Sequence, residues 1–169
     1  MKTSMRNSLA TKSLVLFVSA LLMGLSISTP VQANTSKRCT DGLIIKFGQS
    51  CTYSGVSYTV YSARSWYPTD YGACSGKVYA KFQIKVVNKS RKIVKFNHLG
   101  DVPSSSSGDG DECFNSSENL PGTPDSGLLP GRTKSFVNGY GFKSLKELTF
   151  QLSIDPFYTY SGPAVYWTK

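Results

Sequence analysis

Few side chains in this sequence are of a kind that does covalent chemistry. The one histidine, His98, is followed by Asp101 and by Ser104–Ser107, so a Ser-His-Asp arrangement has its residue types within one short stretch. A triad is a matter of spatial geometry, however, and no Gly-x-Ser-x-Gly nucleophile elbow occurs. His98 therefore reads as a surface-loop histidine, and no catalytic residue is assigned. "GDGDE" (Gly108–Glu112) gathers Asp109, Asp111 and Glu112 around glycines that permit a tight turn. Calcium takes several oxygen ligands in such a loop, but the twelve-residue calcium pattern is missing, so the stretch reads as a solvated acidic loop with no metal. No cofactor motif is present.

Four cysteines remain: Cys39, Cys51, Cys74 and Cys113. Zinc sites use closely paired ligands, and no such pair occurs here. An even count in an exported chain reads as two disulfides, which also rules out a free thiol nucleophile. Export itself is indicated at the start. Lys2, Arg6 and Lys12 precede an apolar run, Leu14–Ser28, and Val31-Gln32-Ala33 supplies the small-residue exit. These are the three parts of a secretory signal peptide, residues 1–33, cut after Ala33. Residues 34–169 then form a single 136-residue domain, long enough for its own core, with no membrane span after the leader is removed. The leader takes three of the 19 basic residues and none of the 10 acidic ones, so the exported chain carries +6 rather than +9. That balance favours anionic surfaces without choosing among them. Asn34-Thr35-Ser36, Asn88-Lys89-Ser90 and Asn115-Ser116-Ser117 match the glycosylation acceptor pattern, which matters only in a eukaryotic secretory pathway.

The residues best suited to non-covalent chemistry are aromatic. "RSWYPTDYGAC" holds Trp66, Tyr67 and Tyr71, and "DPFYTYSGPAVYW" holds Phe157, Tyr158 and Tyr160. Rigid rings with polar tips suit contacts with sugars or proteins, whereas the plainer role is to cap the open ends of a core. Loops commonly carry function, so these six are the expected binding residues. Their meeting at one end of the molecule would favour binding.

The elements that position them read as β throughout. Leu43–Phe47, Val56–Ala63, Lys77–Asn88, Arg91–Phe96, Arg132–Phe142, Lys146–Ile154 and Ala164–Thr168 are short runs between Gly, Pro, Ser and Asn clusters, the pattern of a sandwich or barrel. In "KVYAKFQIKVVNKS" (Lys77–Ser90), Val78, Ala80, Phe82, Ile84 and Val86 share one face, and Lys77, Lys81, Gln83, Lys85 and Lys89 share the other. Those lysines stand about 13 Å apart along a strand. That exceeds the roughly 8 Å screening length at physiological salt. With no ladder of aromatic rings for base stacking beside them, no nucleic-acid partner is expected. Leu148, Phe150, Leu152 and Ile154 alternate in the same way, the mark of a half-buried antiparallel strand. Gly100–Pro130 reads as one long polar loop, tied down by Cys113.

"FGQSCTYSGVSYTVYSA", "YAKFQIKVVNKS", "LLPGRTKSFVNGYGF" and "LKELTFQLS" occur in an order that resembles a secreted immunoglobulin-like domain family of Gram-positive bacteria, related in fold to the mycobacterial immunoprotective extracellular antigens. The resemblance spans most of Phe47–Ile154. The four cysteines, the "SSSSGDGDEC" insertion and the aromatic tail depart from it. It implies an all-β, immunoglobulin-like antiparallel sandwich of about seven strands and supplies no catalytic residues. If the first three of those strands alternate up and down, Cys39 and Cys74 share one end of the sheets, and Cys51 is left for Cys113. Cys39–Cys51 would require the intervening strand to fold back on itself, because bridged Cα atoms lie within about 7 Å. The expected function is that of a secreted, non-catalytic binding module for a protein or a cell-envelope polymer, extracellular or cell-wall associated. A secreted hydrolase with a site near His98, or a secreted inhibitor or effector, are the other two readings.

Overall fold

The computed structural model describes residues 36–68, 74–96, 99–113, 120 and 122–169. The signal peptide, Tyr71, His98 and the acceptor patterns beginning at Asn34 and Asn115 lie wholly or partly outside these residues.

The chain is a β-sandwich of two sheets. The larger is built from β1 (Lys37–Arg38), β3 (Ser50–Tyr53), β4 (Val56–Val60), β5 (Arg64–Trp66), β6 (Val78–Asn88), β9 (Asp111–Cys113) and β10 (Thr133–Phe142). Its order is β1-β3-β4-β6-β10-β9, with β5 also paired to β6. The smaller sheet runs β2-β12-β11-β7-β8, from β2 (Leu43–Lys46), β7 (Gly100–Ser105), β8 (Gly108–Asp109), β11 (Thr149–Ser153) and β12 (Ala164–Thr168). Most pairings are antiparallel; β1–β3 and β2–β12 are parallel.

β6 is the central strand, and its alternation is what the sequence shows. Ala80, Phe82, Ile84, Val86 and Asn88 are buried while Gln83 is exposed between them. Phe82 meets Phe150 of β11 across the sandwich at 4.8 Å between ring centroids, and Tyr140 of β10 at 6.0 Å. Val165 and Trp167 of β12 close the core. Trp167 donates its indole N–H to the Gln49 carbonyl at 2.9 Å, so the largest core side chain leaves no polar atom unpaired. The β3–β4 hairpin turns through Ser54 and Gly55, both at positive φ (48° and 80°), the backbone that a two-residue type I′ turn requires.

Three expectations are corrected. The first concerns the disulfides, which are Cys39–Cys51 and Cys74–Cys113. β2 is only four residues long, and the chain reverses after it, with Gly48 at φ 83° and the Gln49 N–H bonded to the Lys46 carbonyl. β3 therefore runs back beside β1, where Lys37 stands opposite Cys51. Cys39 and Cys51 then lie 5.0 Å apart between Cα atoms, inside the core. The folding-back that argued against this pair is what the chain does.

The second concerns Gly100–Pro130, which holds β7, β8 and β9 rather than one loop. The inward positions of β7 are Asp101 and Pro103, so no apolar alternation announces the strand. Pro103 is tolerated because β8 pairs only with Ser104 and Ser105 on that outer side. The chain crosses from the smaller sheet at β8 to the larger at β9 through Gly110, where a Cβ would stand 2.6 Å from the Phe142 ring. Asp109 and Asp111 consequently belong to different sheets. Among the described residues no group of three metal-ligating side chains gathers.

The third concerns Arg91–Phe96, which is no strand. It makes one isolated bridge, Val94 to Leu128. Asn88 organises this region. Its amide is fully buried, donates to the Lys92 and Leu128 carbonyls (both 2.8 Å), and accepts from the Ser90 N–H and hydroxyl (3.0 and 2.7 Å). The acceptor pattern at Asn88 is thus a structural turn in the folded chain.

Candidate functional site

The outer face of the larger sheet carries the best-defined surface site. Two rows cross it near the β5 end. In one, Arg64, Lys81, Gly139 and Cys113 stand side by side on β5, β6, β10 and β9; in the other, Trp66, Tyr79, Gly141 and Asp111 do so. The two glycines make room. A Cβ on Gly139 would stand 2.9 Å from Trp66 Cζ3 and from Leu120 Cδ1, and one on Gly141 would stand 2.3 Å from the Ser75 carbonyl oxygen. The alternate small positions of "VNGYGF" therefore let the Trp66 ring and the Ser75 backbone lie down on β10.

Rings cluster on this floor. Trp66 meets Tyr79 edge-on at 6.1 Å, and Tyr67, 75% exposed, meets Tyr79 at 5.8 Å. Lys81 Nζ stands 4.8 Å from the Trp66 ring centroid, a cation–π distance. Beside the rings Tyr61, Ser62, Arg64, Lys81, Gln83 and Val137 line a hollow of about 150 Å³. Cys74–Cys113 and the bond from the Ser75 N–H to the Asp111 carboxylate (2.6 Å) clip the segment after Trp66 to β9. Further along the same face, hydroxyls pair across strands: Ser50 with Thr59 and Thr52 with Ser57, each at 2.7 Å.

The second aromatic loop is elsewhere. Phe157 packs against the core, with Lys92 Nζ 5.5 Å from its ring centroid. Tyr158 and Tyr160 are exposed, with ring centroids 4.5 Å apart and both at positive φ. Asp155 fixes their backbone by accepting the Thr159 and Tyr160 N–H groups at 2.8 and 2.7 Å. Burial alone would raise its carboxyl, but these bonds hold it below the usual range. Trp66 pairs with Tyr79 near one end of β6, whereas the second loop touches Lys92 and Lys95 beyond the other end. Nine residues of strand separate Tyr79 from Asn88, about 30 Å. Trp66 and Tyr67 therefore do not meet Phe157, Tyr158 and Tyr160. Trp66, half-buried, and Tyr67, exposed, lie on the outer face of the larger sheet rather than over the open end of the core.

A polar cluster bridges the sheets at the β7–β9 edge. Asp101 accepts from the Tyr140 hydroxyl and from Asn138 Nδ2 (2.6 Å). Tyr140 is held above the usual tyrosine range by burial, then by the Asp101 charge. Glu112, opposite Tyr140 on β9, is raised by burial and then by Asp101. Asp101, the carboxylate nearest His98 in sequence, is thus committed to an inter-sheet bond. The sequence carried no sign of this pairing, since its partners lie nearly forty residues away.

Among the described residues no helix is long and apolar enough to cross a membrane. No family model matches this chain, and no curated protein matches it. Solved structures do. The yjhA protein of Bacillus subtilis is similar at 12% identity with a TM-score of 0.58, covering 73% of this chain and 97% of its own. MPT63, a secreted protein of Mycobacterium tuberculosis, is similar at 10% identity and 0.57, covering 75% and 97%. An uncharacterized β-sandwich protein from Clostridium difficile 630 is similar at 15% and 0.51, covering 79% and 97%. At these identities the likeness is one of fold, and it bears out the sandwich that the sequence resemblance implied.

Proposed function

We propose that this chain is an exported, non-catalytic binding module, and that it takes an anionic polymer of the cell envelope on the Trp66 corner of its larger sheet. The observation that carries this reading is the cluster of Trp66, Tyr67 and Tyr79 rings on the outer face of the larger sheet, Tyr67 exposed and the other two half-buried, with Lys81 and Arg64 among them. Rings offer flat apolar area to the carbon faces of a polyol or sugar, and the cations suit its charged groups. The glycine floor and the Cys74–Cys113 clip hold the platform in place before any ligand arrives, which lowers the ordering cost of binding. Export fits both the disulfides and the likeness to MPT63, a secreted protein.

Trp66 is the natural reporter, because the only other tryptophan, Trp167, is buried. Titrating residues 34–169 with soluble poly(glycerol phosphate) should change Trp66 emission, and neutral dextran should not. Trp66→Ala should abolish retention on the immobilised polymer, and Arg64→Gln should weaken it. Unchanged emission together with no retention at low salt would overturn the proposal.

A further inference from the structure

The opposite end of the sandwich carries a different surface. Three segments converge there. Val94 and Leu128 exchange both backbone hydrogen bonds (3.0 and 2.9 Å), and the Lys95 N–H donates to the Pro156 carbonyl (3.1 Å). Because Val94 and Leu128 turn inward, their neighbours Ile93 and Leu129 turn outward together, 52% and 54% exposed. Ile93 lies across Gly127, where a Cβ would meet its Cγ2 at 2.7 Å. The third segment adds the paired rings of Tyr158 and Tyr160, tilted 54° to each other and 47% and 79% exposed. Four large apolar side chains thus stand in water at one end of a small domain.

Cations share these segments. Lys89, Arg91, Lys92, Lys95 and Arg132 are all exposed on these same segments. The acidic residues on these segments are Asp125 and Asp155, and Asp41 stands beside Ser161, Gly162 and Pro163; the oxygens of Asp155 already accept the Thr159 and Tyr160 N–H groups, and Asp41 accepts the Ala164 N–H. Exposed aliphatic tips and tyrosines on segments that also carry exposed basic residues are what an anionic bilayer accommodates. The rings settle at headgroup depth, the aliphatic tips reach the acyl boundary, and the cations meet lipid phosphates.

We propose that this end docks the exported chain on an anionic lipid surface. The proposal does not rest on the polymer-binding reading. The Trp66 corner lies about 30 Å back along β6, so a docked molecule would hold that corner away from the bilayer.

The test is co-sedimentation of residues 34–169, which contain every strand of the sandwich, with phosphatidylcholine vesicles containing about a third phosphatidylglycerol, against phosphatidylcholine alone. The chain should pellet with the anionic vesicles and be released by salt. Arg91→Gln with Lys95→Gln should weaken partitioning about twenty-five-fold, roughly fivefold per cation. Ile93→Ser with Leu129→Ser should weaken it by about tenfold. These are surface positions, and an unchanged urea midpoint confirms that the variants fold. Trp66→Ala should pellet normally, which separates failure of this proposal from failure of the polymer reading. No pelleting with anionic vesicles at low salt overturns the proposal. So does unchanged pelleting of the Ile93/Leu129 variant with full release by soluble poly(glycerol phosphate), which would mean phosphate binding without a bilayer. Retention only by membranes that still carry their proteins would point to a protein partner and overturn it as well.

Discussion

Replacing Asn88 by alanine should loosen one whole end of the molecule. Four hydrogen bonds leave with the amide. With Asn88 gone the Ser90 hydroxyl, 3.1 Å from the Lys92 carbonyl, turns its proton to that carbonyl, and the Leu128 carbonyl still accepts from the Val94 N–H at 3.0 Å. Neither acceptor is orphaned, so the cost is the net value of the lost bonds rather than a full desolvation penalty. At about 1 kcal/mol for each of the two buried donations, with a smaller loss at the half-exposed Ser90, the total is about 2–3 kcal/mol. For a domain of this size that lowers Tm by roughly 10 °C. Asn88→Asp keeps the shape but turns a carboxylate toward two carbonyls, so it should cost more, about 4 kcal/mol or above at neutral pH. Urea unfolding followed by Trp167 emission reads both, with amide exchange at Val94 and Leu128 reporting whether the end opens locally. If Asn88→Ala shifts stability by less than about 0.5 kcal/mol, or if Asn88→Asp is the milder change, the account of Asn88 as the organiser of these loops is wrong.

Gly139→Ala should push Trp66 and Leu120 aside, cost about 1–2 kcal/mol, and shift Trp66 emission to the red; an unmoved spectrum would contradict the glycine floor. Tyr58 is buried and its hydroxyl has no partner among the described residues, so Tyr58→Phe should be neutral or stabilise by up to about 1 kcal/mol in urea unfolding, and a clear loss would reveal a hidden partner. Glu112 binds its proton more tightly folded than unfolded, by burial and then the Asp101 charge. Its contribution is therefore present below its ordinary value of 4.5 and is lost as pH rises through its raised folded value. Glu112→Gln should thus gain on the parent chain as pH climbs from 4.5, read from urea midpoints across pH; a variant that falls behind at neutral pH would refute the sign. Peptide mapping without reduction should join Cys39 to Cys51 and Cys74 to Cys113. Loss of the longer link should cost about 4 kcal/mol and of the shorter about 3, from the entropy of loops of 39 and 12 residues.

What could be read in advance follows one rule. β6, β11 and β12 bury alternate apolar side chains, so each strand carries its own evidence of which face turns inward. The β3–β4 turn is legible for the same local reason, since Ser-Gly supplies the positive φ values it needs. β7 escapes because its inward positions are Asp101 and Pro103, and what makes them acceptable there, Tyr140 and Asn138, is distant in sequence. Arg91–Phe96 misleads in the opposite sense. It has the apolar residues of a strand, but Asn88 and Ser90 bend the chain and leave it with a single bridge.

The sequence by itself determined the all-β class, the paired cysteines and the inner face of the sandwich, because burial periodicity and thiol number are properties of the chain alone. Only the tertiary structure decided which cysteines meet, since that depends on a reversal after β2 whose placement comes from the β12 and β3 pairings. It also decided that Trp66 and Tyr158 stand toward opposite ends of β6, and that Ile93 and Leu129 turn outward at the end that carries Tyr158 and Tyr160. Shared location at an end of the sandwich is set by how strands are ordered across two sheets, and local side-chain pattern carries no record of that order.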